Sequence, residues 1–320
     1  MIRRRTFLVA GLAGVTGATV TLAGSAPPGE AGPAGEVRIA TGEETGFYRA
    51  FGQLLAAELT AAYSRLRCTA LPTEASVANL GMIDAGQAEL AMTLADIAES
   101  ALSGSAPFSR PVALRALGRV YENYLQLAVL ADSPITAVPH LAGRTISLGS
   151  AGSGGAVLGA RLLRVAGLPD VRALHLSMAQ ARDALATRAI DAMLVAGGVP
   201  LPVLSTLDEE VGIRLLPLSP FLPALRSPGR IGYESVRVPA GAYRGGGEVD
   251  TIGVANLLVC RPDLPGDVAG GVTRVLAQRA GELVPAQAVG TQFLDVRSLI
   301  GTGAVPLHPG AAAAYRALHG

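Results

Sequence analysis

Thr145-Ile146-Ser147-Leu148-Gly149-Ser150-Ala151-Gly152-Ser153-Gly154-Gly155-Ala156 is the stretch on which the fold turns. Residues of strand character run into a glycine–serine loop, and Ala156–Ala166 follows with helical character. A loop passing from strand to helix presents backbone N–H groups and hydroxyls at the positive end of the helix dipole, a setting that suits an anion. As a dinucleotide fingerprint the run fails, because Gly152-Ser153-Gly154-Gly155-Ala156-Val157 lacks the third glycine of GxGxxG. It also fails as a nucleophile elbow, since Ala151 stands two residues before Ser153. A purely structural turn is the alternative reading.

The same design recurs on the N-terminal side. Glu36–Ala40 alternates like a strand, Thr41–Gly46 is a turn, and Phe47, Phe51, Leu54, Leu55 and Leu59 fall at helical spacing. Arg67–Leu71 is strand-like, and Pro72-Thr73-Glu74 leads into a helix over Ala75–Ala85 with Ser76 at its start. Glu89–Thr93 is a third strand, followed by a helix through Leu102. A long apolar run, Leu117–Ala131, breaks at Asp132-Ser133-Pro134. Beyond the opening stretch come strands at Ala173–Leu176, Ala192–Val195, Ile213–Leu218 and Thr251–Cys260, with helices at Met178–Thr187, Asp267–Ala280 and the C-terminus. This alternation predicts an α/β protein with a largely parallel sheet. Three strand-to-helix loops spread over two α/β units predict a ligand cleft between lobes, outside the carboxyl ends of the strands.

Composition narrows the function. The chain has 320 residues, half of them hydrophobic and 16% charged, so it is long enough for two lobes of ordinary size and too apolar for disorder. A net charge of +1 and 4% aromatics give neither the field nor the stacking platform that nucleic acid needs. All 26 basic residues are arginine. The absence of lysine removes the Walker A loop, Schiff-base catalysis and the kinase phosphate-binding lysine. Cys68 and Cys260 lie in apolar strand-like runs and are expected as free thiols. There is no CxxC or HExxH, and His140, His175, His308 and His319 do not cluster, so no metal or cofactor is expected.

Arg3-Arg4-Arg5 precedes residues 6–29, which carry no charge and are rich in small and apolar types, with small residues near Ala23–Ala26. This is the pattern of an export signal, and Arg4-Arg5-Thr6-Phe7-Leu8 is similar to the twin-arginine type. Gly11, Gly14, Gly17 and Gly24 make the run a poor membrane span. Leu22-Ala23-Gly24-Ser25 has the outline of a lipoprotein box, but serine cannot carry the thioether lipid. The expected mature protein lies in the periplasm or on the outer face of the cytoplasmic membrane.

Ile39-Ala40-Thr41-Gly42-Glu43-Glu44-Thr45-Gly46-Phe47-Tyr48 resembles the first loop of the TAXI family, the substrate-binding receptors of TRAP (tripartite ATP-independent periplasmic) transporters. Thr73 to Leu80, Leu94-Ala95-Asp96, Asp132-Ser133-Pro134-Ile135, Leu141-Ala142-Gly143-Arg144, Gly149–Gly155, Ile190-Asp191-Ala192, Gly198-Val199-Pro200 and Pro306 to Ala311 continue the resemblance in order. It implies a two-lobed type II periplasmic-binding-protein architecture. An export signal would occupy 1–26 and a linker 27–35; lobe one would hold 36–127 plus 252–320, and lobe two 128–251. It implies a receptor without catalytic residues that hands a small organic carboxylate or amino acid to a TRAP-type membrane permease. The implied ligand contacts are Thr41, Gly42, Glu43, Glu44, Tyr48, Ser76, Asn79, Asp96, Ser150, Ser153, Gly154, Gly155, Gly198 and Pro200.

The family's first loop is commonly glycine-rich where Glu43 and Glu44 stand here. Either these carboxylates favour the helix N-terminus by about 0.3–1 kcal/mol, or one of them meets a cationic group of a zwitterionic ligand. His308, in the terminal segment, and Tyr121 are expected to be structural. The alternatives are a ligand-sensing subunit for a membrane kinase and an exported serine hydrolase using Ser153 or Ser76 with a histidine and Asp96. The hydrolase lacks any recognisable nucleophile–base motif.

If Arg4 and Arg5 direct twin-arginine export, replacing both with lysine should leave the precursor in the cytoplasm. Cell fractionation and immunoblotting report the outcome, and unchanged export of the variant would overturn this route.

Overall fold

The computed structural model describes residues 32–226, 232–285 and 296–319, which belong to one compact unit beginning at Gly32. The expected export signal and the linker as far as residue 31 lie outside the described residues.

The N-terminal third alternates strictly: β1 (Gly35–Ala40), α1 (Phe47–Ala62), β2 (Leu66–Leu71), α2 (Ser76–Asp84), β3 (Leu90–Leu94) and α3 (Ala95–Ser103). A long strand, β4 (Arg115–Leu130), then leads to β5 (Thr145–Ser147), α4 (Gly154–Val165), β6 (Arg172–Leu174), α5 (Met178–Ala186) and β7 (Ala192–Gly197). After α6 (Pro202–Val211), β8 (Ile213–Leu216) and the short α7 (Leu222–Leu225), strand β9 (Tyr233–Val238) pairs with β10 (Val249–Cys260). Helices α8 (Gly266–Gln278), α9 (Val296–Leu299) and α10 (Pro309–His319) complete the described chain.

The strand order is β2-β1-β3-β10-β4-β7-β5-β6, with β8 on β4 and β9 on β10. β1 is parallel to β2 and β3, and β5 is parallel to β6 and β7. Between these two parallel sets stand β10 and β4, antiparallel to each other and to the sets they border. The largely parallel sheet expected from sequence is therefore correct for the two flanks and gives way at the centre. The apolar run read as 117–131 is one strand of 16 residues, long enough to pair with β10 at one end and with β7 and β8 at the other. Strand β9 was not expected: Tyr233-Glu234-Ser235-Val236-Arg237-Val238 buries only its two ends, leaves Glu234, Ser235 and Arg237 exposed, and acquires its pairing only from β10.

Local sequence explains the flanks. In α1, Phe47, Phe51, Leu55 and Leu59 recur every four residues and are buried against Val37, Ile39, Val272 and Leu276. Gly52 is required on that face, because a Cβ there would collide with the Thr41 methyl. Ser153 caps α4 by accepting from the Ala156 N–H at 3.0 Å, and Ser177 with Gln180 forms a capping box on α5. A further cluster holds Leu185, Met193, Leu204 and Leu207, while Leu80, Leu94, Leu125, Leu148, Leu158 and Val254 form a core along the crossing strands. Cys260 is buried and Cys68, on edge strand β2, is half-buried; they are not bonded to each other.

Among the costly groups on the crossing strands is a buried carboxylate. Glu122 on β4 is 5% exposed; one carboxylate oxygen accepts from Arg119 at 2.6 Å and the other has no partner. Glu234 on β9 shares the Arg119 guanidinium at 3.4 Å. Burial pushes Glu122 up from its ordinary 4.5 to about 7, against the opposing pull of Arg119. Between those values the folded chain keeps a proton that the unfolded chain has released, so this group makes stability fall as pH rises. Glu122→Gln should flatten that decline and raise stability at pH 8 relative to wild type. Urea midpoints at pH 5 and pH 8 test it; an unchanged pH slope in the variant would refute the assignment.

Candidate functional site

The loops that follow β1, β2, β3, β5 and β7 gather at the carboxyl ends of the two parallel sets, facing one another across β4. They line a partly open cleft whose empty space of about 590 Å3 includes solvent at its mouth. Gly42, Glu43, Gly46, Phe47, Tyr48, Ala75, Ser76 and Leu94 line it from the β1–β3 side. Leu148, Gly149, Ser150, Ser153, Gly154, Gly155, Met178, Leu194, Val195 and Ala196 line it from the β5–β7 side, and Asn123 of β4 lies between.

Helices α1, α2, α4 and α5 all begin at this cavity. Gly46 at the N-cap of α1 has no side chain to offer, so the first amides of α1 lack an intrahelical or side-chain acceptor. Ser153 satisfies the Ala156 N–H of α4 and leaves the amides of Gly154 and Gly155 ahead of it. Gly154 has to be glycine: a Cβ would meet Leu94 Cδ1 at 2.7 Å and Ser76 Oγ at 2.9 Å across the cleft. Ala75, at the N-cap of α2, holds φ 76° and ψ −146°, a region almost reserved for glycine, and its N–H is fixed by Thr73 Oγ1 at 3.0 Å.

Protein–protein bonds already span the cleft. Glu43 accepts from the Ser150 hydroxyl at 2.6 Å and from the Met178 N–H at 2.8 Å. Gly152 is clasped on both sides: its N–H donates to Glu74 at 3.0 Å, and its carbonyl accepts from Val77 N–H and Ala78 N–H at 3.0 and 3.1 Å. The N-terminus of α2 is thus filled by the opposite loop. Deeper in, Arg161 of α4 pairs with Asp96 of α3 at 2.6 Å, with side-chain exposures of 13% and 2%. The Tyr233 hydroxyl donates to Asp96 at 2.8 Å, and Arg161 reaches Ser100 Oγ at 3.2 Å. Burial and the Asp96 charge push the Tyr233 phenol well above its ordinary value, so it stays a neutral donor.

Of the residues expected at the site, the cavity gathers Gly42, Glu43, Tyr48, Ser76, Ser150, Ser153, Gly154 and Gly155. The others lie off its wall. Thr41 is buried, with its hydroxyl on the Leu71 carbonyl at 2.6 Å. Asn79 is wholly buried and ties the Thr41 and Met92 carbonyls together at 2.6 and 2.7 Å. Glu44 is exposed and pairs with Arg49 at 3.1 Å. Asp96 is engaged by Arg161, Gly198 offers its carbonyl to Gln126 at 3.0 Å, and Pro200 follows a cis peptide.

Sequence reasoning missed Phe47, Asn123 and Met178. Asn123 had a signal, since an amide inside the apolar run 117–131 is out of character with it. Tyr48 donates to Asn256, and its phenol is raised well above the ordinary value by burial. Tyr121 packs edge-on against Phe47 with ring centres 4.7 Å apart, and His308 is 3% exposed and accepts from the Gly310 N–H at 3.1 Å. The hydrolase arrangement is not formed: Ser153 caps its helix, and Ser76 meets Tyr48 and the Leu94 N–H.

Removing Arg161 should take its guanidinium away from the buried Asp96 carboxylate, which keeps the neutral Tyr233 hydroxyl. Arg161→Leu is expected to cost about 3–5 kcal/mol, and the Asp96→Asn/Arg161→Leu double variant should recover most of it. Urea denaturation at pH 7 measures both; a single variant within about 1 kcal/mol of wild type would show the pair to be solvated.

A model of the NMT1-like family matches residues 39–317 of the chain. Among solved structures, an ancestral arginine-binding protein bound to arginine aligns at 12% identity over 78% of this chain and 95% of that one, with a TM-score of 0.51. The alkanesulfonate-binding protein SsuA from Xanthomonas axonopodis pv. citri, bound to MOPS, aligns at 18% identity over 89% of this chain and 84% of that one, with a TM-score of 0.48. The periplasmic aliphatic sulphonate binding protein SsuA from Escherichia coli aligns at 18% identity over 88% and 78%, with a TM-score of 0.45. The likeness at these identities is one of fold: an α/β, two-lobed periplasmic-binding-protein architecture of type II with its cleft between the lobes.

Proposed function

The chain belongs to the NMT1-like family, and from that premise we propose that it is an exported solute-binding protein, not an enzyme. It captures a small organic molecule between two lobes and delivers it to a membrane transporter. The observation that carries this reading is the cavity itself. Two helix N-termini open onto a mostly apolar cleft reached by loops from both parallel strand sets, with no serine–histidine pair among its lining residues.

The lobes in this reading are 36–127 plus 252–320 and 128–251, joined where β4 and β10 cross near 127–131 and 249–254. The N-terminal arginine head and the apolar run after it support export to the periplasm or the outer membrane face. The finer assignment is a TAXI-type receptor serving a TRAP-type permease. Its support is the collinear series of motifs from Thr41-Gly42-Glu43-Glu44 to Pro306-Leu307-His308-Pro309. The ligand is a small carboxylate or amino acid, its anionic end on the amides of Gly154 and Gly155 near the Ser76 and Tyr48 hydroxyls. Glu43 is the carboxylate at the cavity; Glu44, paired with Arg49, acts on the outer surface.

Solute binding should raise the melting temperature by mass action and shrink the radius of gyration as the lobes close. Mass spectrometry of the denatured protein identifies a co-purified solute, and thermal shift with small-angle scattering tests the response to it. Gly154→Val, which fills the contact between α4 and Leu94, should abolish both effects. A solute that is converted to a new product by the protein would overturn the receptor reading in favour of an enzyme.

A further inference from the structure

Resting on that reading of the cleft, we propose that Asn123 determines the class of solute it takes. The Asn123 amide oxygen accepts a hydrogen bond from an N–H group of the ligand, so the site selects a net-neutral, amino-bearing acid over an anion of the same skeleton.

Asn123 is 4% exposed and lines the cavity, yet its side-chain oxygen has no hydrogen-bond partner. A buried acceptor left unpaired is a standing cost that a ligand donor removes. The surrounding strands do not supply that donor. Across the ladder Asn123 faces Val254, and the next polar pair, Tyr121 and Asn256, leaves the Tyr121 hydroxyl and the Asn256 amide nitrogen without partners of their own. The Asn256 oxygen is already taken by the Tyr48 hydroxyl.

Charge points the same way. Glu43 is the one ionisable carboxylate on the cavity wall, and no arginine lines the wall. Its partners, the Ser150 hydroxyl and the Met178 N–H, are uncharged. The nearby guanidinium of Arg161 is committed to Asp96, and that of Arg49 to Glu44 and the Ala70 carbonyl. The positive ends of α1 and α4 contribute about half a charge each. They balance one carboxylate of a ligand but leave a dianion facing Glu43 with nothing to offset the repulsion. A zwitterion meets both demands, its carboxylate on the helix amides and its ammonium toward Asn123 and Glu43. The remaining wall, with Phe47, Leu94, Leu148 and Leu194, accommodates an apolar body.

The test is a thermal-shift screen of the twenty L-amino acids, with succinate and methanesulfonate as anions that carry no N–H donor. Calorimetry follows on the best amino acid and on the desamino acid of the same skeleton. An amino acid should bind at least about tenfold more tightly than its desamino counterpart. Asn123→Leu should weaken the amino acid about ten- to a hundredfold and leave the desamino acid unchanged. Asn123→Asp, which keeps the shape and adds charge, should retain or tighten amino-acid binding, which separates the effect from misfolding. Succinate, methanesulfonate or the desamino acid binding as tightly as any amino acid would overturn the assignment while leaving the receptor intact. Equal weakening of both ligands by Asn123→Leu would make Asn123 merely structural. If no amino acid binds, the assignment is wrong; if denatured protein also releases no small molecule, the receptor reading falls with it.

Discussion

The antiparallel pairing of β4 with β10 is the constraint from which the rest of the molecule follows. Each parallel set is an ordinary α/β unit whose strands run out of partners at one edge, and β3 and β7 are those edges. β10 closes the first and β4 the second, and the two then close each other from Arg115↔Cys260 to Leu125↔Ile252. Register shifts beside Asn256 and Leu258 interrupt this ladder near the cavity floor. Because both sets hang on the same two strands, the carboxyl ends of their outer strands face each other, and the loops there have only one another to pack against.

The polar residues of β4 express this position. Gln126 is 1% exposed and fully used: it donates to Gly198 at 3.0 Å and accepts from Tyr243 at 2.6 Å. Glu122, on the same face of the strand, is half-satisfied by Arg119. Asn123, on the opposite face, is the one turned to the cavity. A strand buried on both sides would ordinarily be apolar throughout. Each departure here is a place where the strand does something besides pack.

Much of this was legible in the sequence because it is local. Strand-to-helix loops punctuated by Gly149, Gly154 and Gly46, and the four-residue stripe of α1, are short-range patterns, and the structure keeps them. What was not legible depends on residues far apart in the chain. Asp96 sits after a strand like the other site residues, but Arg161, 65 positions away, claims it. Thr41 and Asn79 belong to a ligand-loop motif, yet their hydrogen bonds go to backbone carbonyls and, at Asn79, to the Thr73 hydroxyl, and they brace the loop from behind. Glu43 and Glu44 are adjacent and identical in type; only the tight turn before α1 sends one to the cavity and the other to Arg49. Strand β9 stayed hidden because its six residues, three of them exposed and polar, become a strand only with β10 beside them.

The clasp around Gly152 has a kinetic consequence. Glu74, Val77 and Ala78 bond that residue directly across the cleft, protein to protein. In the proposed receptor these bonds must break before the lobes part, so the chain itself would set the balance between open and shut. Entry would then wait on opening: at high solute concentration the capture rate would level off at the opening rate, and the affinity would be scaled down by the open fraction. Such a receptor would trade speed of capture for slow escape, a solute once enclosed leaving no faster than Gly152 lets go.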